Sequence, residues 1–258
     1  PPAGCMNLHG SLLPAYRGRC PVNWVLVNGE KETGVTLHYM TPRPDDGDIV
    51  CQKKIAITDD DTAKSLNDKA VNAASEMLDQ ILPRINAGKA PREPQDHSRS
   101  SYYGGRRPDD GEIDWTACAA KVRNLVRAVT RHYPGGFTYL SDTKCLLWSV
   151  SVCSSSGEKM CPGTIVSTNP LVVSCGENAV QIDFGQVDGG VYVSGAQLAR
   201  ELNLSKGMKF GDSASKRIEA MRKKNVLILG VNGFIGNALS ERLLKSGKYE
   251  VHGMDLRS

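Results

Sequence analysis

The sequence predicts an α/β unit, then a small β-barrel, then the opening of a second α/β unit. Three observations carry this. A long amphipathic helical pattern follows strand-like runs between residues 35 and 85, and short strand-like runs separated by turn residues recur from 137 to 194. Near the end, an apolar run at 225–229 leads into glycines 230, 233 and 236.

The 258 residues are 40% hydrophobic and 23% charged, the balance of an ordinary globular protein. A net charge of +4 without a dense basic block argues against nucleic acid as a partner. No apolar run approaches the ~18 residues that suggest a membrane span, so the chain reads as cytosolic, without membrane insertion. Eight cysteines are scattered without a C-x-x-C pair, which makes buried free thiols the expectation rather than a metal site or a disulfide framework. Because the chain opens at Pro1 and stops early in its last unit, it is expected to be a piece of a longer polypeptide.

In chain order, Asn7-Leu8-His9 precedes the loop Gly10 to Gly18; if it is extended, its period of two puts Asn7 and His9 on one side. Val22 to Val27 fits a helix or a strand and is closed by Asn28-Gly29. Val35 to Met40 and Ile49 to Gln52 read as strands, joined by the carboxylate-rich turn Thr41-Pro42-Arg43-Pro44-Asp45-Asp46-Gly47-Asp48. Asp59 to Thr62 marks a helix start, with Leu66, Ala70, Ala73, Ala74, Met77, Leu78, Ile81 and Ile85 on one face and Gly88 and Pro91 as stops. Residues 93–112 read as a solvated connector.

A helix is expected from Ala119 to Val129, with Lys121, Arg123, Arg127 and Arg131 outside its apolar face. Strand runs then follow at Phe137–Leu140, Cys145–Val152, Thr164–Ser167, Leu171–Ser174, Val180–Phe184 and Val191–Ser194, and a short helix at Ala196–Leu202. Basic residues 206–224 form a linker. Beyond it, Gly230, Gly233 and Gly236 sit between a strand and a helix, and Asp255 ends the next strand. That context suits a Rossmann-type turn holding the pyrophosphate of NAD on backbone N–H groups, with Asp255 on a ribose hydroxyl. A plain strand–helix turn is the ordinary alternative.

Asn7, His9 and Asp45 supply a neutral donor, a group that titrates near neutrality and a carboxylate able to orient it. The set suits transfer of an acyl-type carbon to an amine, in which the amine attacks directly and no covalent nucleophile is needed. Each residue also has an ordinary reading: Asn7 and Asp45 as turn formers, His9 as a satisfied or surface histidine. Spacing alone does not bring Asp45 to His9.

Asn7-Leu8-His9-Gly10-Ser11-Leu12-Leu13-Pro14 with Tyr16-Arg17-Gly18 resembles the signature of the 10-formyltetrahydrofolate-dependent formyltransferases, and Asp45-Asp46-Gly47-Asp48-Ile49 resembles their aspartate motif. The region from Trp115 to Ser194 is similar to the OB-like barrel that follows the catalytic domain in that family. With the Gly230 tail, the whole resembles bifunctional polymyxin-resistance enzymes. These formylate UDP-4-amino-4-deoxy-L-arabinose for lipid A modification and carry an NAD-dependent UDP-glucuronate decarboxylase.

The resemblance implies His9 as general acid/base with Asn7 and Asp45 as partners, and Arg19 and Thr41, Pro42, Arg43 and Pro44 against the folate. It also implies Gly230, Gly233, Gly236 and Asp255 at NAD, a nucleotide-sugar substrate and a homo-oligomer. The expected domains are 1–92 (catalytic), 113–205 (barrel) and 225–258 (dehydrogenase start). The family's upstream half is missing, so this polypeptide alone is expected to show little or no transfer. Methionyl-tRNA formyltransferase and a non-catalytic assembly module are the competing readings. A simple NAD-dependent oxidoreductase fails because too little of that fold is present.

Overall fold

The computed structural model describes residues 4–154, 160–211, 224–229, 234–245 and 249–254. The chain divides into two compact units, Pro1–Gly211 and Asp212–Ser258.

The first unit opens with an antiparallel sheet in the order β1 (Met6–His9), β3 (Glu32–Tyr39), β4 (Ile49–Ala56). Strand β4 runs beyond the expected Gln52 because pairing with β3 continues to Glu32↔Ala56; Lys53 pairs with Glu76 and Lys54 with Glu32. The ambiguous run is helix α1 (Pro21–Val27): Pro21 is pre-organised for the first turn, and Asn23, Val25 and Leu26 are buried. Helix α2 (Ala63–Asn86) starts on a Thr62–Ser65 capping box and buries Leu66, Ala70, Ala73, Ala74, Met77 and Ile81 of the predicted face, while Leu78 and Ile85 are only partly buried. It ends just before Gly88, which takes a φ of 68°.

The connector is mostly exposed, as expected, but it is tied to the unit at several points. Glu93 bridges to Ile49, and β5 (Tyr102–Tyr103) pairs in parallel with β2 (Arg17–Gly18). Within the connector Gln95 is buried, at 6% exposed, against the turn that carries Asp45. The Gln95 amide is needed there, because the turn it covers presents backbone carbonyls that water would otherwise satisfy.

Helix α3 (Ala119–Val129) has the predicted bounds, but Arg127 is buried rather than outside the apolar face. Its guanidinium accepts burial because it donates to Asn124 Oδ1 (2.9 Å), Thr58 O (2.9 Å) and Asp61 O (3.2 Å), joining α3 to the start of α2. Asn23 adds a second tie, donating to Ala128 O at 2.6 Å.

Strands β6 (Gly136–Leu140), β7 (Thr143–Cys153), β8 (Ile165–Thr168), β9 (Leu171–Ser174) and β10 (Ala179–Val187) pair in the order β6-β7-β10-β9-β8. Strand β11 (Val193–Ser194) joins β10 and leads into α4 (Gly195–Glu201). Val191 and Tyr192, expected in the strand, lie before it and are exposed, with Tyr192 stacked on Phe184. The two ends of the pairing path meet through an irregular segment: Ile165 donates to Met208 O, Phe210 to Gly163 O and Gly211 to Tyr139 O. Trp115, Leu147, Ile165, Leu171, Val173 and Phe210 fill the interior.

In the second unit, β12 (Lys224–Leu229), α5 (Phe234–Lys245) and β13 (Tyr249–Met254) form a strand–helix–strand piece, with the strands parallel from Lys224↔Tyr249 to Leu229↔Met254.

Candidate active site

Strand β1 places Asn7 and His9 on one face, with Leu8 turned to the exposed side. The antiparallel register sets His38 of β3 directly opposite Asn7. Asn7 Nδ2 lies 3.3 Å from His38 Nε2. Asp45 Oδ1 lies 3.7 Å from His9 Nδ1 and 3.5 Å from His38 Nε2. The trio expected from sequence therefore does converge, with a second imidazole beside it. The side chains of His9, His38 and Asp45 are only 6%, 2% and 12% exposed.

Asp45 reaches this point because its loop is held from several sides. The residue adopts a left-handed backbone (φ 52°), which aspartate tolerates better than most side chains. Its Oδ2 accepts from Gly18 N at 2.8 Å. Gln95 Nε2 donates to Asp45 O (2.9 Å) and Gly47 O (2.7 Å), while its Oε1 accepts from Arg17 NH2 at 2.6 Å. Arg17 NH1 pairs with Asp46 Oδ1 at 2.7 Å. Gly47 packs so tightly on β3 that a Cβ there would overlap the Tyr39 carbonyl.

Backbone carbonyls decide where the ring protons sit, since a carbonyl only accepts. His9 Nε2 donates to Tyr16 O at 2.8 Å, and His38 Nδ1 donates to Tyr39 O at 2.9 Å. In neutral His9 the lone pair is then on Nδ1, facing Asp45. A proton taken there creates an imidazolium against a carboxylate, while Asn7 remains a neutral donor nearby. The arrangement can accept a proton and stabilise a developing oxyanion.

Arg19 is exposed two residues beyond Arg17, with its backbone N–H on Tyr103 O at 2.9 Å. Thr41, Pro42, Arg43 and Pro44 form the exposed run leading into Asp45, with Thr41 Oγ1 donating to Arg43 O at 2.9 Å. Gly230, Gly233 and Asp255 lie outside the described residues, and Gly236 falls in the first turn of α5. His38, Arg17 and Gln95 were not among the expected site residues. The alternation of β3 put His38 on a definite face, but only its register against β1 reveals the neighbour.

Beside the site, Tyr16 and Tyr103 stack with ring centroids 4.7 Å apart, and Asn28 donates to both phenol oxygens at 3.0 Å. Burial and the Glu30 carboxylate push the Tyr16 phenol up, so it remains a donor to Glu30. These rings line a cavity of about 660 Å³ that reaches Lys121 and Asn124 of α3.

Residues 1–82 match the family described as formyl transferase, 106–203 match the formyl transferase C-terminal domain, and 226–258 match the NAD dependent epimerase/dehydratase family. Among solved structures, the chain is similar to HypX from Aquifex aeolicus at 17% identity and TM-score 0.60, covering 81% of this chain and 36% of that one. It is similar to the N-formyltransferase from Helicobacter canadensis, solved with folinic acid and dTDP-3-aminofucose, at 22% identity and TM-score 0.57, covering 69% of this chain and 65% of that one. It is also similar to WlaRD, a sugar 3N-formyl transferase solved with dTDP and 5-N-formyl-THF, at 20% identity and TM-score 0.56, covering 69% and 64%. The chain thus spans 36% to 65% of the length of these relatives. The fold is formyltransferase-like α/β with a C-terminal domain, followed by a short Rossmann-type start.

Proposed function

We propose that the first unit carries the centre of a formyltransferase that moves a formyl group from 10-formyltetrahydrofolate to the amine of a nucleotide-linked sugar. The observation that carries this reading is the convergence of Asn7, His9 and Asp45, at 3.7 Å for the His9–Asp45 pair. The two matched formyl transferase domains support it, as do relatives of the same fold solved with folate derivatives and dTDP or a dTDP-sugar.

In this mechanism the amine nitrogen attacks the formyl carbon, and the carbonyl oxygen takes the negative charge while Asn7 Nδ2 donates to it. His9 takes the ammonium proton at Nδ1, where Asp45 faces the new positive charge. The tetrahedral centre then collapses, the bond to the folate nitrogen breaks, and that nitrogen receives the proton. Arg19 and Thr41 to Pro44 contact the folate.

The finer reading takes UDP-4-amino-4-deoxy-L-arabinose as the acceptor. It is supported by the tail, whose parallel β12/β13 pair and epimerase/dehydratase match suit the start of an NAD-dependent decarboxylase. Residues 1–92, 113–205 and 225–258 are the corresponding domains, joined by linkers at 93–112 and 206–224.

The test is formylation by the complete protein of an amino-sugar nucleotide and of charged initiator tRNA, side by side, with 10-formyltetrahydrofolate. Transfer to the sugar that His9→Ala abolishes is the expected result. Preference for the tRNA would replace the acceptor, and unchanged turnover in His9→Ala would overturn the reading.

A further inference from the structure

We infer that His38 is a positioning residue that orients the Asn7 carboxamide, a role that rests on the formyl-transfer reading of the same site. The Nδ1–H of His38 is committed to Tyr39 O at 2.9 Å, so a neutral ring presents only a lone pair at Nε2. Two polar groups face that lone pair: Asn7 Nδ2 at 3.3 Å and Asp45 Oδ1 at 3.5 Å. The carboxylate oxygen carries no proton to give, so the Asn7 N–H satisfies the ring. Rotating the Asn7 amide by half a turn would set its oxygen against the lone pair and beside the Asp45 carboxylate, three acceptors with no donor between them.

His38 thereby makes one of the two amide orientations the stable one. Asn7 is kept with its NH2 group, the oxyanion donor, on the side of the Asp45 and His9 cluster. The contact is buried, at 2% exposure for His38, so water does not substitute for the ring. A histidine that merely filled the core would not require its Nε2 to face Asn7 across the β1–β3 register.

The experiment compares His38→Leu, His38→Gln, Asn7→Ala and the Asn7→Ala/His38→Leu double variant in the complete protein, together with imidazole nitrogen NMR. His38→Leu lowers kcat about tenfold, the loss of one buried hydrogen bond, with KM for amine and folate unchanged. His38→Gln, whose side-chain oxygen can accept the same N–H, recovers most of that loss. The double variant is no slower than Asn7→Ala, because the effect passes through Asn7.

NMR at neutral pH shows the Nδ1–H tautomer. Wild-type kcat in His38→Leu, a loss undiminished in the Asn7→Ala background, or an Nε2–H ring would each overturn the inference. Should His38→Leu fail to fold, His38→Gln and the tautomer decide: failure of His38→Gln to retain kcat overturns it. Failure of His9→Ala to reduce transfer strikes the functional reading instead and leaves the tautomer result standing.

Discussion

His9 Nδ1 lies 3.7 Å from Asp45 Oδ1, although a loop, a helix and a full strand separate the two in the chain. The contact turns a ring nitrogen with a free lone pair into a base whose protonated form is stabilised on the spot. Asp45→Asn keeps the size and the tie to Gly18 N but removes the charge. It lowers kcat about 10² to 10⁴-fold, the usual scale of acid–base assistance, with KM changed little. Steady-state kinetics on the complete protein with varied amine and folate checks this.

Arg17 is buried and holds Asp46 at 2.7 Å and Gln95 at 2.6 Å. Arg17→Met leaves a half-buried carboxylate and an amide oxygen without a donor, at a cost of about 3–5 kcal/mol. Urea denaturation of the chain measures it. Arg17→Lys, with one compact donor group instead of a planar fork, recovers only part.

Gly47→Ala drives a methyl group into the Tyr39 carbonyl. The loop must shift to relieve it, at about 1–3 kcal/mol, and Asp45 shifts too. Both stability and kcat fall, whereas Gly88→Ala, where nothing lies near, leaves kcat unchanged. Thermal melting and the same kinetic assay separate the two.

Burial would raise the Asp61 carboxyl, but Lys69, the Thr58 N–H and the Ser65 hydroxyl outweigh it and lower the pKa to about 2. A carboxylate depressed in the folded state stabilises above its ordinary pKa of 3.8 and loses that contribution as pH falls toward 2. The contribution is about 1–2 kcal/mol, reduced from the full shift because Lys69 is open to water. Stability measured from pH 6 to pH 2 falls through this window in the wild type, and Asp61→Asn flattens the drop.

Much of this architecture was legible because it rests on local rules. Helix α3 begins and ends where the pattern put it, and α2 buries most of the face its three-and-four spacing defined. Arg127 was misread, and Gln95 was missed within an otherwise exposed connector, because their polarity resembles that of solvated residues. Arg127 is buried only because carbonyls from Thr58 and Asp61 arrive to meet it, and Gln95 only because the Asp45 turn needs donors. No window of sequence contains both halves of such a pair.

The sequence by itself determined most of the elements, the shared face of Asn7 and His9 and the chemistry those groups offer. Periodicity and side-chain type are properties of a short segment, so these need no partner. The tertiary structure decided that Asp45 meets His9, that His38 faces Asn7 and that Arg17 and Gln95 brace the turn between them. Those relations depend on strand register and on a connector folding back over a loop, where buried polar groups must find one another or go unpaired.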